Sequence, residues 1–253
     1  MSVHSETLRP YIHLIESLPA QELEKKDLLI PELIMEKSGG LEMYYAPHNE
    51  YINVQTRIVI AGITPGWNQM KMAFEQAKRS IQQGASLEQI ACDVKKAARF
   101  AGTMRNHLIK MLDSCGLPEA LGLQTSRQLF GDRSNLLHTT SVIKYPVFSD
   151  GKNYTGHAPK IDHSSLLKKY AYEIFPQEII QLEKPYLLIP LGKSVSEVIR
   201  TLMDQGRIPR NPCLLDFPHP SGANGHRHKQ FEKLKSHFKT IVEDFALTHL
   251  TKE

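Results

Sequence analysis

A histidine held between two prolines, Pro218-His219-Pro220, runs into Ser221-Gly222-Ala223-Asn224. Each proline fixes its own φ and pushes the preceding residue out of the helical region, so the imidazole is carried on a stiff, extended segment. Ser221-Gly222 then supplies a tight turn whose backbone N–H groups can meet a phosphate. A rigid imidazole beside an anion-binding turn suits cleavage of a bond whose leaving group gathers negative charge. Taken alone, the same residues also fit a capped surface turn with a solvated histidine.

A second loop, Gly62-Ile63-Thr64-Pro65-Gly66-Trp67, follows an apolar segment, Arg57-Ile58-Val59-Ile60-Ala61. Gly62 allows backbone to approach a ligand, Pro65-Gly66 makes a sharp exit, and a helical pattern begins soon after Trp67. By itself this is an ordinary strand-to-helix turn with Trp67 in the core. The histidine loop also follows a short apolar strand, Cys213–Phe217, and two polar loops at strand ends can face one pocket.

The elements that must position these loops read as follows. Residues 7–17 and 21–29 are expected as short amphipathic helices, 41–45 and 51–54 as extended chain, and 57–61 as the first buried strand. Residues 69–83 and 87–114 read as helices, the second stopping at Gly116. The stretch 148–159, rich in Gly, Asn, Asp and His, is expected to be an exposed mobile loop. Residues 164–183 are helical with a break at Pro176, 187–191 a buried strand, and 194–205 and 230–247 helices. Strands alternating with helices predict an α/β fold, a three-layer sandwich with a central, mostly parallel sheet flanked by helices. At 253 residues the chain can form one large domain, 1–253, with N-terminal helices and a helical insertion at about 69–130.

In this order, the two loops resemble the motifs of the uracil-DNA glycosylase superfamily. Gly62-Ile63-Thr64-Pro65-Gly66 is similar to its first, water-positioning motif, and His219-Pro220-Ser221-Gly222-Ala223-Asn224 to its second, which inserts into DNA and stabilises the departing base. Leu136–Pro146 resembles the middle strand carrying a base-reading residue, here Ser141, and a basic residue, Lys144. Lys184–Ser194 resembles the strand and glycine before a helix that meets a DNA phosphate, here through Lys193 and Ser194.

The resemblance implies a DNA glycosylase in which His219 stabilises the leaving base and Thr64 holds the attacking water. Gly62, Ile63, Pro65, Gly66, Trp67, Ser141 and Phe148 would surround the flipped base, with Trp67 or Phe148 stacked on it. Ser221, Gly222, Asn224, His226 and Arg227 would meet DNA together with Lys144, Lys193 and Ser194. Two departures stand out. Many members put a carboxylate or asparagine in the first motif, where this chain has Ile63 and Thr64, so Asp150 or His157 is a candidate base. Ser141 stands where an asparagine commonly reads uracil, which leaves space for a larger base, such as the bulky modified cytosines of phage genomes.

Composition fits these expectations. The net charge of +4 suits a polyanionic partner without a histone-like excess. Basic residues cluster between Arg207 and Lys239, a phosphate-facing edge or simply the solvated face of a helix. The three cysteines, Cys92, Cys115 and Cys213, are widely separated, which suggests neither a disulfide scaffold, a zinc ribbon nor a four-cysteine iron–sulfur cluster. No cofactor or metal is expected, and with no basic start or long apolar run the protein is expected in the cytoplasm. Three further readings arise, the first of them giving way to a simple strand-to-helix turn at Gly192. Gly192-Lys193-Ser194 has the end of a phosphate-binding loop without its upstream glycine. His219, His226 and His228 could hold a metal for a nuclease. A glycosylase-like fold without a base could serve only to recognise modified DNA.

Overall fold

The computed structural model of the chain describes residues 5–100 and 102–250. Its strands are β1 (Ile34–Ser38), β2 (Leu41–Tyr44), β3 (Ile58–Gly62), β4 (Leu137–Ser141), β5 (Val147–Ser149), β6 (Lys152–Asn153) and β7 (Leu187–Pro190). Its α-helices are α1 (Ile12–Ser17), α2 (Lys25–Leu28), α3 (Trp67–Gln82), α4 (Leu87–Ala98), α5 (Thr103–Ser114), α6 (Leu117–Ala120), α7 (Ser165–Lys168), α8 (Phe175–Ile179), α9 (Lys193–Asp204) and α10 (Arg227–His249). The chain is α/β, with one parallel and one antiparallel sheet.

Contacts gather into two compact units. The first comprises Met1–Ile52, Ile63–Ala101 and Ser141–Phe175; the second comprises Asn53–Gly62, Gly102–Thr140 and Pro176–Glu253. The helical stretch expected as one insertion is therefore divided, α3 and α4 belonging to the first unit and α5 and α6 to the second. The division falls at Phe100, with φ +45°, and Gly102, with φ +82°, because neither value can continue a right-handed helix.

The first unit contains the antiparallel sheet β1-β2-β5-β6. The edge strand β1 alternates half-buried and exposed residues, a pattern too weakly apolar to read as a strand from composition. Instead of a mobile loop, residues 147–153 form a β-hairpin that pairs Ser149 with Lys152. Asp150 and Gly151, with φ +49° and +67°, are its two turn residues, as an Asp-Gly pair in a type I′ turn requires. Phe148 is fully buried edge-on to Tyr44, 5.7 Å between ring centres. After α7 the helix widens into a π-turn over Lys169–Ile174, just ahead of Pro176, whose ring excludes a regular i−4 carbonyl.

The second unit is built on the parallel sheet β4-β3-β7. Ile58 to Ala61 register against Leu187 to Pro190, and every residue of both strands is buried, hence their unbroken apolar sequences. Cys213 and Phe217 form parallel bridges to Leu188 and Leu191, extending the sheet beyond β7. By position in the chain the order is second, first, third, fourth. The chain thus reverses direction across the sheet between β3 and β7. Outside the carboxyl ends of the strands at such a switch point is where open parallel sheets form ligand crevices.

Candidate active site

The switch point brings together several of the expected residues. β3 ends at Gly62, β7 runs through Leu191 into Gly192 and then α9, and the fourth extended segment delivers the His219 loop beside Gly192. The Leu191 N–H donates to the Ala61 carbonyl at 2.8 Å, and the Gly192 N–H donates to the Phe217 carbonyl at 2.8 Å. These two bonds fix the helix start and the entry of the histidine loop to the same sheet edge. Gly192 has φ +91° and ψ 163°, a conformation open only to glycine, and a Cβ there would stand 3.5 Å from the His219 Cβ.

His219 is held as a one-proton donor. The Ser221 N–H donates to its Nδ1 at 3.2 Å, so Nδ1 is the acceptor and the neutral ring carries its proton on Nε2. Burial pushes its pKa below the ordinary histidine value. The amino end of the 12-residue helix α9 carries positive partial charge and also disfavours imidazolium. The result is a neutral Nε2–H donor on a fixed backbone.

Aromatic packing holds both ends of the loop. Phe217, fully buried, stacks on Phe238 at 5.3 Å and meets Phe231 edge-on at 5.7 Å, joining the loop entry to α10. Burying each such ring contributes about 2 kcal/mol. Within the loop, the Asn224 side-chain amide donates to the His219 carbonyl at 3.2 Å and to Gln230 Oε1 at 3.0 Å. Arg227 donates from Nη1 to the Asn224 carbonyl at 3.2 Å. Asn224 and Arg227, expected at DNA, are half-buried and also brace the loop from within. Ser221 is half-buried, while Gly222 and His226 are exposed. Lys193 is exposed with only a loose 3.9 Å approach to Glu197, and Ser194 is half-buried in the first turn of α9.

In the first unit, the loop leaving β3 is pinned by side chains. Thr64 donates its hydroxyl proton to the Tyr145 carbonyl at 2.7 Å, so toward any further partner it can only accept. The Gly66 N–H donates to Gln69 Oε1 at 3.2 Å and the Trp67 N–H to Asn153 Oδ1 at 2.9 Å, satisfying the amino end of α3. Ile63, Thr64, Gly66 and Trp67 are half-buried and Pro65 is buried.

Four expected site residues lie elsewhere. Lys144 is buried and pairs with the fully buried Glu50 at 3.0 Å, with no reach to a phosphate. Phe148 is sealed in the sheet, where no base can stack on it. Asp150 is at an exposed hairpin tip, shaped by its turn, and His157 is exposed as well. Ser141, by contrast, closes β4 at its carboxyl end and is buried.

Sequence reasoning missed two groups. Pro47-His48-Asn49-Glu50 lies wholly buried. Its Glu50 accepts from Lys144 and the Tyr145 hydroxyl, and Asn49 bonds Lys95 and the Lys144 carbonyl. Burial and the nearby Glu50 carboxylate push the Tyr145 phenol well above its usual range. Residues so polar in so short a run read as a surface turn, and only their distant partners show otherwise. The second group is His107 of α5, which touches the histidine loop. Among the described residues, no three His, Cys, Asp or Glu side chains gather as a metal-ligand set, and no helix is long and apolar enough to cross a membrane.

Fold and site together define an α/β protein with a neutral histidine donor at the carboxyl edge of a parallel sheet. The chain belongs to the same family as the uncharacterized protein YoxB of Bacillus subtilis (strain 168), to which it is 49% identical over 246 residues, covering 97% of this chain and 96% of that one. No protein-family model matches the chain, and no solved structure matches it.

Proposed function

We propose that the chain is a monofunctional DNA glycosylase of the uracil-DNA glycosylase superfamily, with that superfamily's three-layer architecture. It turns a modified or damaged base out of DNA and hydrolyses its N-glycosidic bond to leave an abasic site. The substrate class we favour is a bulky modified cytosine, on the ground that Ser141 is a small residue at the base-reading position. The observation that carries the reading is the immobilised, neutral His219 with its Nε2 proton free of the Nδ1 contact.

As the C1′–N bond lengthens, its electron pair moves onto the base and positive charge develops on the sugar. His219 Nε2–H donates a hydrogen bond to the base as that charge grows, an interaction stronger in the transition state than before it. Water forms the new bond to C1′ and gives up a proton to solvent, while the departed base takes one up. An oxocarbenium-like centre demands little of its nucleophile. The Thr64 hydroxyl, with its own proton engaged, keeps a lone pair that can accept a hydrogen from water. The half-buried Trp67 offers a ring for stacking, and Lys193, Ser194, Ser221, Gly222 and His226 offer phosphate contacts.

The test is alkali-dependent strand cleavage, with EDTA present, on DNA bearing uracil, mismatched thymine, oxidised bases or hypermodified cytosine. Abasic sites on one substrate are expected. Binding without product on every substrate would support a second reading, a recognition module for modified DNA. The engaged proton of Thr64 favours that alternative, since this loop then lacks any group able to deprotonate water.

A further inference from the structure

We propose that His107 is a positioning residue that locks the His219 loop in its donor geometry. The proposal rests on the reading of His219 as the functional donor. His107 lies on α5, and its Nδ1 stands 2.9 Å from the Pro220 carbonyl, the residue next to His219. A carbonyl only accepts, so Nδ1 carries the proton and Nε2 presents a lone pair. Arg227 Nη2 lies 3.4 Å from that lone pair. The same guanidinium donates through Nη1 to the Asn224 carbonyl, and Asn224 donates to the His219 carbonyl.

One imidazole therefore engages both arms of the loop. Toward the entry it restrains Pro220 directly; toward the exit it orients Arg227, which restrains Asn224 and, through it, His219 again. The polarity of the chain is consistent throughout, each donor meeting an acceptor. Pro220 has no N–H of its own, so its carbonyl is the only backbone hydrogen-bonding group by which that residue can be held. A partly exposed loop of Ser, Gly and Asn would otherwise sample many conformations, and ordering it before substrate arrives lowers the cost of reaching the transition state.

The test compares His107→Ala and His107→Asn with the wild-type chain, by amide hydrogen exchange of residues 221–225 and by single-turnover excision. Asparagine places a donor nitrogen near the position of Nδ1, so it keeps the Pro220 bond and loses only the Arg227 contact. In His107→Ala, exchange at 221–225 rises about fivefold to tenfold while residues 58–62 stay protected. The excision rate falls by a similar factor with little change in DNA affinity, and His107→Asn recovers most of both. Exchange at 221–225 unchanged in His107→Ala, or His107→Asn behaving as the alanine variant, overturns the proposal. Loosening of the loop with no excision by any of the three proteins supports the brace and removes the glycosylase reading instead.

Discussion

The two loops that leave the parallel strands are held in opposite ways. The Thr64 loop of the first unit rests on a buried, charged foundation: Thr64 on the Tyr145 carbonyl, Tyr145 on Glu50, and Glu50 on Lys144. The His219 loop of the second unit is held by prolines, uncharged hydrogen bonds and an aromatic cluster, with Arg227 as its charged brace among the described residues. A charged foundation fixes position but spends its polar atoms internally. The second arrangement leaves a donor proton available. The first loop accordingly offers an acceptor and the second a hydrogen-bond donor.

Breaking the charged foundation carries the largest expected effect on stability. Lys144→Met leaves the Glu50 carboxylate buried with only the Tyr145 hydroxyl, which costs about 3–5 kcal/mol. The midpoint of urea unfolding reports it, and adding Glu50→Gln to the same chain recovers much of the loss. A Lys144→Met protein of unchanged midpoint would show that the pair is not a foundation at all.

On the other side, Gly192→Ala forces a side chain into a glycine-only conformation, with φ +91°, at the point where α9 and the histidine loop meet. The strain costs about 1–3 kcal/mol, and relief of it displaces His219. Urea unfolding and excision should both suffer. Loss of stability with full activity would show that the loop does not take its position from Gly192.

The smallest effect sharpens the comparison through pH. Burial lowers the His219 pKa from 6.5, so the folded chain resists a proton that the unfolded chain accepts. The stability that this contributes is present above about pH 6.5 and is lost as the pH falls through the lowered value. The neutral ring is the proposed donor, so the excision rate should hold across neutral pH and fall on an acid limb with an apparent pKa below 6.5. A limb at or above 6.5 would place the working group elsewhere.

What could be read from sequence follows from the range of the forces involved. Pro218-His219-Pro220 constrains its own backbone, so a stiff loop was a local expectation. So was the turn from β7 into α9 at Gly192, and so were the apolar runs of β3 and β7. The fate of Lys144 depends on Glu50, 94 residues away, and no local pattern distinguishes a lysine bound for an internal ion pair from one bound for solvent. The Asp150-Gly151 pair carried its hairpin signature, yet the polar residues around it read as mobile loop. The break between α4 and α5 turned on two backbone angles at Phe100 and Gly102, and Gly102 was its only local sign. His107 announces nothing by itself, because its role is defined by Pro220, 113 residues further on.

The most direct measurement is single-turnover excision by the wild-type chain and by His219→Ala, at neutral pH with EDTA, on DNA carrying hypermodified cytosine and on the wider panel of damaged bases. The account predicts abasic sites from the wild-type chain and a rate lower by on the order of a hundredfold or more in a folded His219→Ala protein. A folded His219→Ala protein that excises at the wild-type rate would contradict it.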